Sequence, residues 1–142
     1  MRCQDIIKKP VICCKEAETV QTAALRMRDS NVGFLPVCGP EDRVVGVLTD
    51  RDIAVRVCAD GLDAGRLPIS EVMTREIVAC HPGDDVRFVE GLMARNHKSR
   101  ILIIDPAGKA EGVISLSDIA RHDKVFAADT LRLVSSREIR SH

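Results

Sequence analysis

The sequence contains the same unit twice, and this duplication limits the folds that the chain can adopt. When the sequence is shifted by 66 positions, residues 5–54 align with residues 71–120 without a gap. Nine of the fifty aligned pairs are identical, among them Met27 with Met93 and Asp52 with Asp118. Aliphatic runs coincide as well. A duplicated segment predicts two copies of one folded unit, so each copy is interpreted with the other beside it.

Each copy predicts the element order β-α-β-β-α. The strands are predicted at residues 11–14, 34–38 and 44–48 in the first copy and at 77–80, 101–104 and 111–115 in the second. The first helix follows a capping residue, Thr19 in one copy and Asp84 or Asp85 in the other. The second helix begins near Asp50 or Leu116. The fold class is therefore α/β, with two such repeats packed as one pseudo-symmetric module.

Breaker residues and polarity predict the domain boundaries. The chain divides into repeat 1 at residues 3–60, a linker rich in Gly and Pro at 61–70, repeat 2 at 71–125 and a tail at 126–142. In the tail, Leu131, Val134 and Ile139 predict a final short helix that packs on the body or on a partner.

Composition excludes several classes of function. Lys and Arg together number 21, as do Asp and Glu, so the chain lacks the basic excess of a nucleic-acid binder or a polybasic membrane anchor. Its longest aliphatic run, residues 101–104, is too short to span a bilayer, and we expect a cytoplasmic protein. The four histidines are scattered, with no activated nucleophile or metal-ligand spacing, so we expect neither catalytic residues nor a metal site.

A glycine, a hydroxyl residue and an aspartate recur with the same spacing after the third strand. They are Gly46, Thr49 and Asp52 in the first copy and Gly112, Ser115 and Asp118 in the second. A Ser or Thr followed three residues later by an acid, just before an apolar helix, is a capping box that requires no ligand. The same atoms suit a nucleotide, since a helix start attracts phosphate, a carboxylate accepts from ribose hydroxyls, and glycine lets a bulky ligand approach the backbone. Both interpretations remain open at this point.

The tandem turns resemble those of a CBS-domain pair, also called a Bateman module. Supporting marks are Asp5-Ile6-Ile7 and Glu71-Val72-Met73-Thr74 ahead of the first strands, and Phe34-Leu35-Pro36-Val37 before the first hairpin. The resemblance covers about residues 3 to 125, so we expect no attached catalytic domain. It implies a regulatory module that binds AMP, ADP, ATP or S-adenosylmethionine, signals to an unknown effector protein and forms a homodimer. No cofactor is required beyond the adenosine ligand.

The resemblance implies two clefts with equivalent residues. Asp52 and Asp118 would hold ribose hydroxyls, with Thr49 and Ser115 beside the phosphate or ribose. The remaining implied ligand-binding residues are Ile12 and Val47 around one adenine, Val78 and Val113 around the other, and Arg51 and Ser117 before the aspartates. The second copy departs from the first at Lys98, Arg100 and Leu102, which replace Val32, Phe34 and Pro36. These changes would narrow the second cleft or give it positive charge.

An alternative function is a dimeric interaction module whose clefts hold no ligand. It would be redox-responsive through Cys13 and Cys38, which the β-α-β order places on neighbouring strands. Neighbouring strands are close enough for a disulfide, although the pair could equally be core residues in contact. For the homodimer, the sequence predicts an interface on the helices near 19–30 and 86–96, whose apolar stripes include Met27 and Met93.

Overall fold

The computed structural model describes the backbone of residues 1–7 and 11–140, and their side chains except those of 124–127 and 137–140. The chain forms two compact units. The first-repeat unit comprises residues 12–77, and the second-repeat unit comprises residues 1–11 together with 78–142. Each unit therefore contains the sheet of one sequence repeat and a segment that precedes the strands of the other.

The first-repeat unit is a three-stranded mixed sheet covered by helices. Its elements are β1 (Cys14–Lys15), α1 (Val20–Ser30), β2 (Phe34–Cys38), β3 (Val44–Thr49) and α2 (Asp50–Asp52), which continues as a π-helical segment, Ile53–Cys58. The central β2 runs parallel to β1 and antiparallel to β3. Val20, Ala23 and Met27 lie on one stripe of α1 and are buried in the core with Leu35 and Leu48.

The second-repeat unit repeats this arrangement and adds a helix. Its elements are β4 (Ala79–Cys80), α3 (Val86–Asn96), β5 (Arg100–Ile104), β6 (Ala110–Ser115), α4 (Leu116–Ala120) and α5 (Lys124–Arg140). The strand order is β4-β5-β6, with the same parallel and antiparallel pairings. Val86, Val89 and Met93 of α3 are buried with Ile101 and Ile114. The predicted α/β class and the two equivalent repeats are confirmed.

The predicted helix starts are correct, and the predicted first strands are too long. Thr19 accepts a hydrogen bond from the backbone amide of Thr22 at 3.2 Å, and Asp85 accepts one from that of Arg87 at 2.8 Å. Only two residues of β1 and two of β4 pair with a neighbouring strand, so these strands begin at Cys14 and Ala79 rather than at 11 and 77.

The segments ahead of the two first strands are exchanged between the repeats. We call residues 1–7 the N-terminal lead-in segment and residues 67–74 the second lead-in segment. The backbone amide of Cys3 donates to the carbonyl of Asp84 at 2.9 Å, and that of Ile69 donates to Glu18 at 2.9 Å. Positions 3 and 69 are equivalent in the two copies, as are positions 84 and 18, so these two hydrogen bonds correspond to each other. The first seven residues therefore belong to the second-repeat unit, and the second lead-in segment belongs to the first-repeat unit.

The C-terminal helix α5 is longer than the predicted short helix and packs on its own unit. It spans 17 residues and contacts α3 and α4. Val134 packs against the core of the unit, whereas Leu131 is exposed. Ile139, the third residue behind the prediction, lies outside the residues whose side chains are described. Inside the α3–α5 contact, the Thr130 hydroxyl donates to Glu90 at 3.2 Å, and both side chains are buried.

Candidate functional site

The turn between the third strand and the following helix has the same geometry in both units. The Thr49 hydroxyl accepts from the backbone amide of Asp52 at 3.1 Å, and Asp52 Oδ2 accepts from the amide of Thr49 at 3.0 Å. Ser115 and Asp118 make the equivalent bonds at 3.1 and 3.0 Å. Both turns are therefore complete capping boxes, and each uses one carboxylate oxygen.

The second oxygen of each aspartate faces an arginine. Asp52 Oδ1 lies 3.8 Å from Arg56 Nε, and Asp118 Oδ1 lies 3.6 Å from Arg121 Nη1. The aspartate side chains are 14% and 8% exposed, Arg56 is about half-exposed and Arg121 is 66% exposed. Arg56 also donates through Nη1 to the Val72 carbonyl at 3.0 Å. The second oxygen of each aspartate is the atom of its turn that lies outside the capping box.

The second lead-in segment borders the candidate site of the first-repeat unit, because it pairs with β3. The backbone amide of Val47 donates to the Thr74 carbonyl at 2.9 Å, and the Thr74 amide donates back to Val47 at 2.9 Å. Val47 also lies opposite Pro36 of β2. The second lead-in segment thus binds both backbone hydrogen-bonding groups of Val47, two residues before the capping threonine.

Both glycines of the motif make room for a lead-in segment. A Cβ atom on Gly46 would lie 2.8 Å from the Met73 sulfur and 2.8 Å from the Thr74 carbonyl oxygen. A Cβ on Gly112 would lie 3.0 Å from that of Ile7. The glycines are required by close chain packing. Close chain packing is a sufficient reason for both glycines, and approach of a ligand to their backbone stays a prediction.

The other candidate residues surround the turns at different depths. Ile12 and Val78 precede β1 and β4 and pack, partly buried, against the cores of their units. Val113 is partly buried on β6, opposite Leu102. Arg51 and Ser117 are exposed on the first turns of the helices. In the first-repeat unit, β2 lies between the strand after Ile12 and the strand of Val47, so contact of both residues with one adenine stays a prediction.

The second-repeat unit carries extra positive charge near its turn. Arg100 begins β5 and pairs in register with Ser115, and Lys98 lies two residues earlier. Both side chains are exposed. The corresponding positions in the first-repeat unit hold Phe34 and Val32. The two turns therefore share their capping geometry and differ in the charge beside it.

The sequence analysis missed the arginines that face the aspartates, and it named residues of both lead-in segments as family marks without placing them beside the candidate site. Arg56 follows Asp52 by four positions and Arg121 follows Asp118 by three, spacings that bring side chains together on a helix. That spacing was a usable signal. By contrast, Thr74 lies 27 residues from Val47 and no spacing in the sequence joins the two, so only the folded chain reveals the contact.

All six cysteines lie in the described part of the chain, and all are free thiols. Cys13 directly precedes β1 and Cys38 ends the parallel neighbour β2, so the residues chosen as a disulfide pair lie on adjacent segments. Burial, with a contribution from Cys38, raises the pKa of Cys13 to about 12. Both thiols are therefore protonated at neutral pH, and the disulfide itself stays a prediction.

Within the described residues, no group of three or more His, Cys, Asp or Glu side chains is placed to hold a metal ion. The same part of the chain has no helix that combines the length and apolar character needed to cross a bilayer.

Comparison with known sequences identifies the repeat. The sequence model of the CBS domain matches the chain twice, over residues 3–58 and 69–124. Hypoxic response protein 1 of Mycobacterium tuberculosis is 34% identical over 119 residues, which cover 84% of this chain and 82% of that protein. The CBS domain-containing protein YhcV of Bacillus subtilis is 37% identical over 117 residues, covering 82% and 81%.

Two solved structures have the same fold. A crystal structure of hypoxic response protein I with two coordinated zinc ions matches with a TM-score of 0.78 and 32% identity, covering 86% of this chain and 98% of that one. The CBS-domain pair of protein MJ0100, in complex with 5′-methylthioadenosine and S-adenosyl-L-methionine, matches with a TM-score of 0.76 and 25% identity, covering 86% and 94%.

Proposed function

Because this chain belongs to the CBS-domain family and carries the domain twice, we propose that it is a regulatory module for an adenosine-containing ligand. The ligand class is AMP, ADP, ATP or S-adenosylmethionine, and the module passes the signal to a partner protein without catalysis. One observation carries the proposal: in both units a nearly buried aspartate directs one oxygen away from its capping box. The adenosine compounds bound by the MJ0100 pair support the ligand class.

We assign the ligand contacts from the positions of the side chains. Asp52 and Asp118 accept from the ribose hydroxyls through Oδ1, and the ligand displaces Arg56 or Arg121 from that oxygen. Each displaced arginine remains close enough to pair with a phosphate. The hydroxyls of Thr49 and Ser115 accept only one amide each, so their protons are available to a phosphate or ribose oxygen.

The remaining assigned residues contact the base and the phosphates. Val47 with Ile12, and Val113 with Val78, present partly buried aliphatic surface to adenine. Arg51 is exposed one residue before Asp52 and is assigned to phosphate, where the second unit has Ser117. Since Lys98 and Arg100 supply charge in the second-repeat unit instead, the two sites reach a phosphate from different elements.

The alternative is an interaction module that binds no ligand. Both capping boxes are complete in the protein alone, which is what this alternative requires. It assigns the turns a purely structural role and places the function on the protein surface. The two proposals differ in what happens when an adenosine compound is added.

Thermal-shift measurements against AMP, ADP, ATP, NAD, GTP and S-adenosylmethionine separate the two functions. At a hundredfold excess over Kd, one bound ligand adds about 2.7 kcal/mol, which should raise Tm by roughly 5–10 °C. Asp52→Ala and Asp118→Ala should each remove one of two binding events in calorimetry. Each variant alone should cost about 1 kcal/mol through the lost capping bond.

Asp29→Ala is the matched control, because Asp29 is an exposed aspartate on α1 that belongs to neither capping box. It should leave binding unchanged. If no adenosine compound shifts Tm or gives heat with the wild-type chain, the interaction module is the correct function.

A further inference from the structure

Two buried cysteines meet in the second-repeat unit, and neither belongs to the proposed ligand site. Cys3 lies in the N-terminal lead-in segment and Cys80 lies in β4, 77 residues later. Their sulfur atoms are 4.0 Å apart, and the residues are 0% and 3% exposed. A disulfide requires a separation of about 2.05 Å, so side-chain rotation and a small backbone adjustment would have to bring the sulfurs together.

The equivalent place in the first-repeat unit cannot form this bond. By the 66-residue shift, position 69 is equivalent to Cys3 and position 14 is equivalent to Cys80. These positions hold Ile69 and Cys14. The Cys14 thiol there donates to the carbonyl of Pro36 at 3.6 Å. Isoleucine beside cysteine satisfies the same apolar packing, so packing alone does not require two thiols in the second-repeat unit.

We propose that Cys3 and Cys80 form a reversible disulfide that ties the N-terminal lead-in segment to β4 when a small-molecule disulfide oxidises the protein. The bond would add a covalent link where the structure has backbone hydrogen bonds, such as that from Cys3 to Asp84 at 2.9 Å. This modification site uses none of the residues assigned to the adenosine site, and the proposal does not rest on ligand binding.

The exchange chemistry balances with one external disulfide. The Cys3 thiolate attacks one sulfur of the oxidant, forms a mixed disulfide and releases the first external thiolate. The Cys80 thiolate then attacks the Cys3 sulfur, forms the internal disulfide and releases the second. The protein pair loses two electrons, the oxidant gains two, and the two protein protons go to the released thiolates.

The thiol contact favours Cys3 as the first nucleophile. Hydrogen bonding between the thiols lowers the pKa of Cys3 and raises the pKa of Cys80, because the remaining proton is shared with the thiolate. Access requires the lead-in segment to open. This local opening breaks the backbone hydrogen bonds of Cys3 with Asp84 and of Gln4 with Pro82.

Peptide mapping tests the site directly. The protein is incubated with oxidised glutathione, its free thiols are alkylated, and it is digested with trypsin without reduction. We expect a linked pair of peptides, residues 3–8 with residues 76–87, which contain Cys3 and Cys80 as their only cysteines. The oxidised protein should melt roughly 10 °C above the reduced protein, because the bond closes a long loop.

Two variants and one exposed thiol make the result decisive. Cys80→Ser should abolish both the linked peptides and the gain in Tm, whereas Cys14→Ser, at the equivalent position of the other unit, should keep both. Cys58 is exposed and reports that the oxidant has reacted, through the peptide of residues 57–66. The proposal is overturned if the peptide of residues 57–66 carries glutathione while peptides 3–8 and 76–87 are both alkylated. It is also overturned if these two peptides are linked to other peptides instead of to each other.

Discussion

Gly46 and Gly112 leave the space that the lead-in segments occupy beside the third strands, so substitution of either glycine should lower the stability. In Gly46→Ala the new Cβ would meet a backbone oxygen and the Met73 sulfur at 2.8 Å, whereas in Gly112→Ala it would meet the flexible side chain of Ile7 at 3.0 Å. We expect Gly46→Ala to destabilise the protein by about 1–3 kcal/mol and Gly112→Ala to cost less. Chemical denaturation measures both.

Gly83→Ala is the control, since the nearest atom to its added Cβ is an arginine nitrogen at 3.9 Å. It should change the stability little. Equal losses for Gly46→Ala and Gly83→Ala would contradict the assigned role of the close approach.

The Cys13–Cys38 pair should form a disulfide slowly and only when the pH is raised. The two residues lie on adjacent strand segments, yet burial raises the pKa of Cys13 to about 12 and leaves almost no thiolate at neutral pH. With an excess of oxidised glutathione, a Cys14→Ser variant, whose tryptic peptide 9–15 has Cys13 as its only cysteine, should link this peptide to peptide 29–43 faster as the pH rises from 7 to 9. A rate independent of pH, or Cys13 recovered free after Cys58 has reacted at pH 9, would argue against this pair.

At the scale of elements, α5 is attached to α3 through a buried carboxyl group. Glu90 is 6% exposed, accepts from Thr130 through one oxygen and has no partner for the other within the described residues. Burial raises its pKa above 4.5, and Asp123 and Asp85 add to the shift, while the Thr130 hydroxyl and Arg87 oppose it. The folded protein therefore favours the protonated form of this side chain.

The sign of the pH effect follows from that shift. The stability contributed by neutral Glu90 is fully present below pH 4.5 and is lost as the pH rises through the raised pKa of the folded state. Glu90→Gln keeps the bond to Thr130 and cannot ionise. We expect its Tm to fall less than that of the wild type between pH 4.5 and pH 8. If the Tm values of the two proteins change equally with pH over this range, Glu90 is ionised or solvated in the folded protein, contrary to this prediction.

At the scale of the whole molecule, we predict a homodimer formed through α1 and α3. The residues on which the sequence prediction rested, Met27 and Met93, are buried in the cores of their own units and cannot supply the contact surface. The same helices expose Leu25 and Phe88, which are 41% and 49% exposed. An interface on these helices would therefore use their outer faces.

Light scattering at tens of micromolar should give twice the chain mass of 15.6 kDa. Leu25→Glu combined with Phe88→Glu should give the monomer, because two charges would have to be buried in the interface. Leu131→Glu is the control, since Leu131 is an exposed leucine of α5 outside these helices. A wild-type mass of 15.6 kDa would refute the dimer.

The amino-acid sequence by itself determined the duplication, the order of elements in each copy and the two capping turns. These depend on local spacing: Thr49 and Asp52 are three residues apart, and the apolar stripe of α1 repeats with the helical period. Hairpin partners are also close in sequence, so the register of β2 with β3 follows from a short turn. The helix and turn signals lie within a window of about ten residues, whereas the duplication is seen by comparing positions 66 residues apart.

Only the tertiary structure decided which repeat each lead-in segment joins, and therefore what borders the candidate site. The contacts of Thr74 with Val47 and of Cys3 with Cys80 join residues 27 and 77 positions apart, and several placements of the segments would satisfy the same hydrophobic pattern. The choice depends on packing against a specific surface, including the space above Gly46 and Gly112. Long-range packing of this kind leaves no spacing in the sequence, because it is set by the shape of two surfaces that form only when the chain has folded.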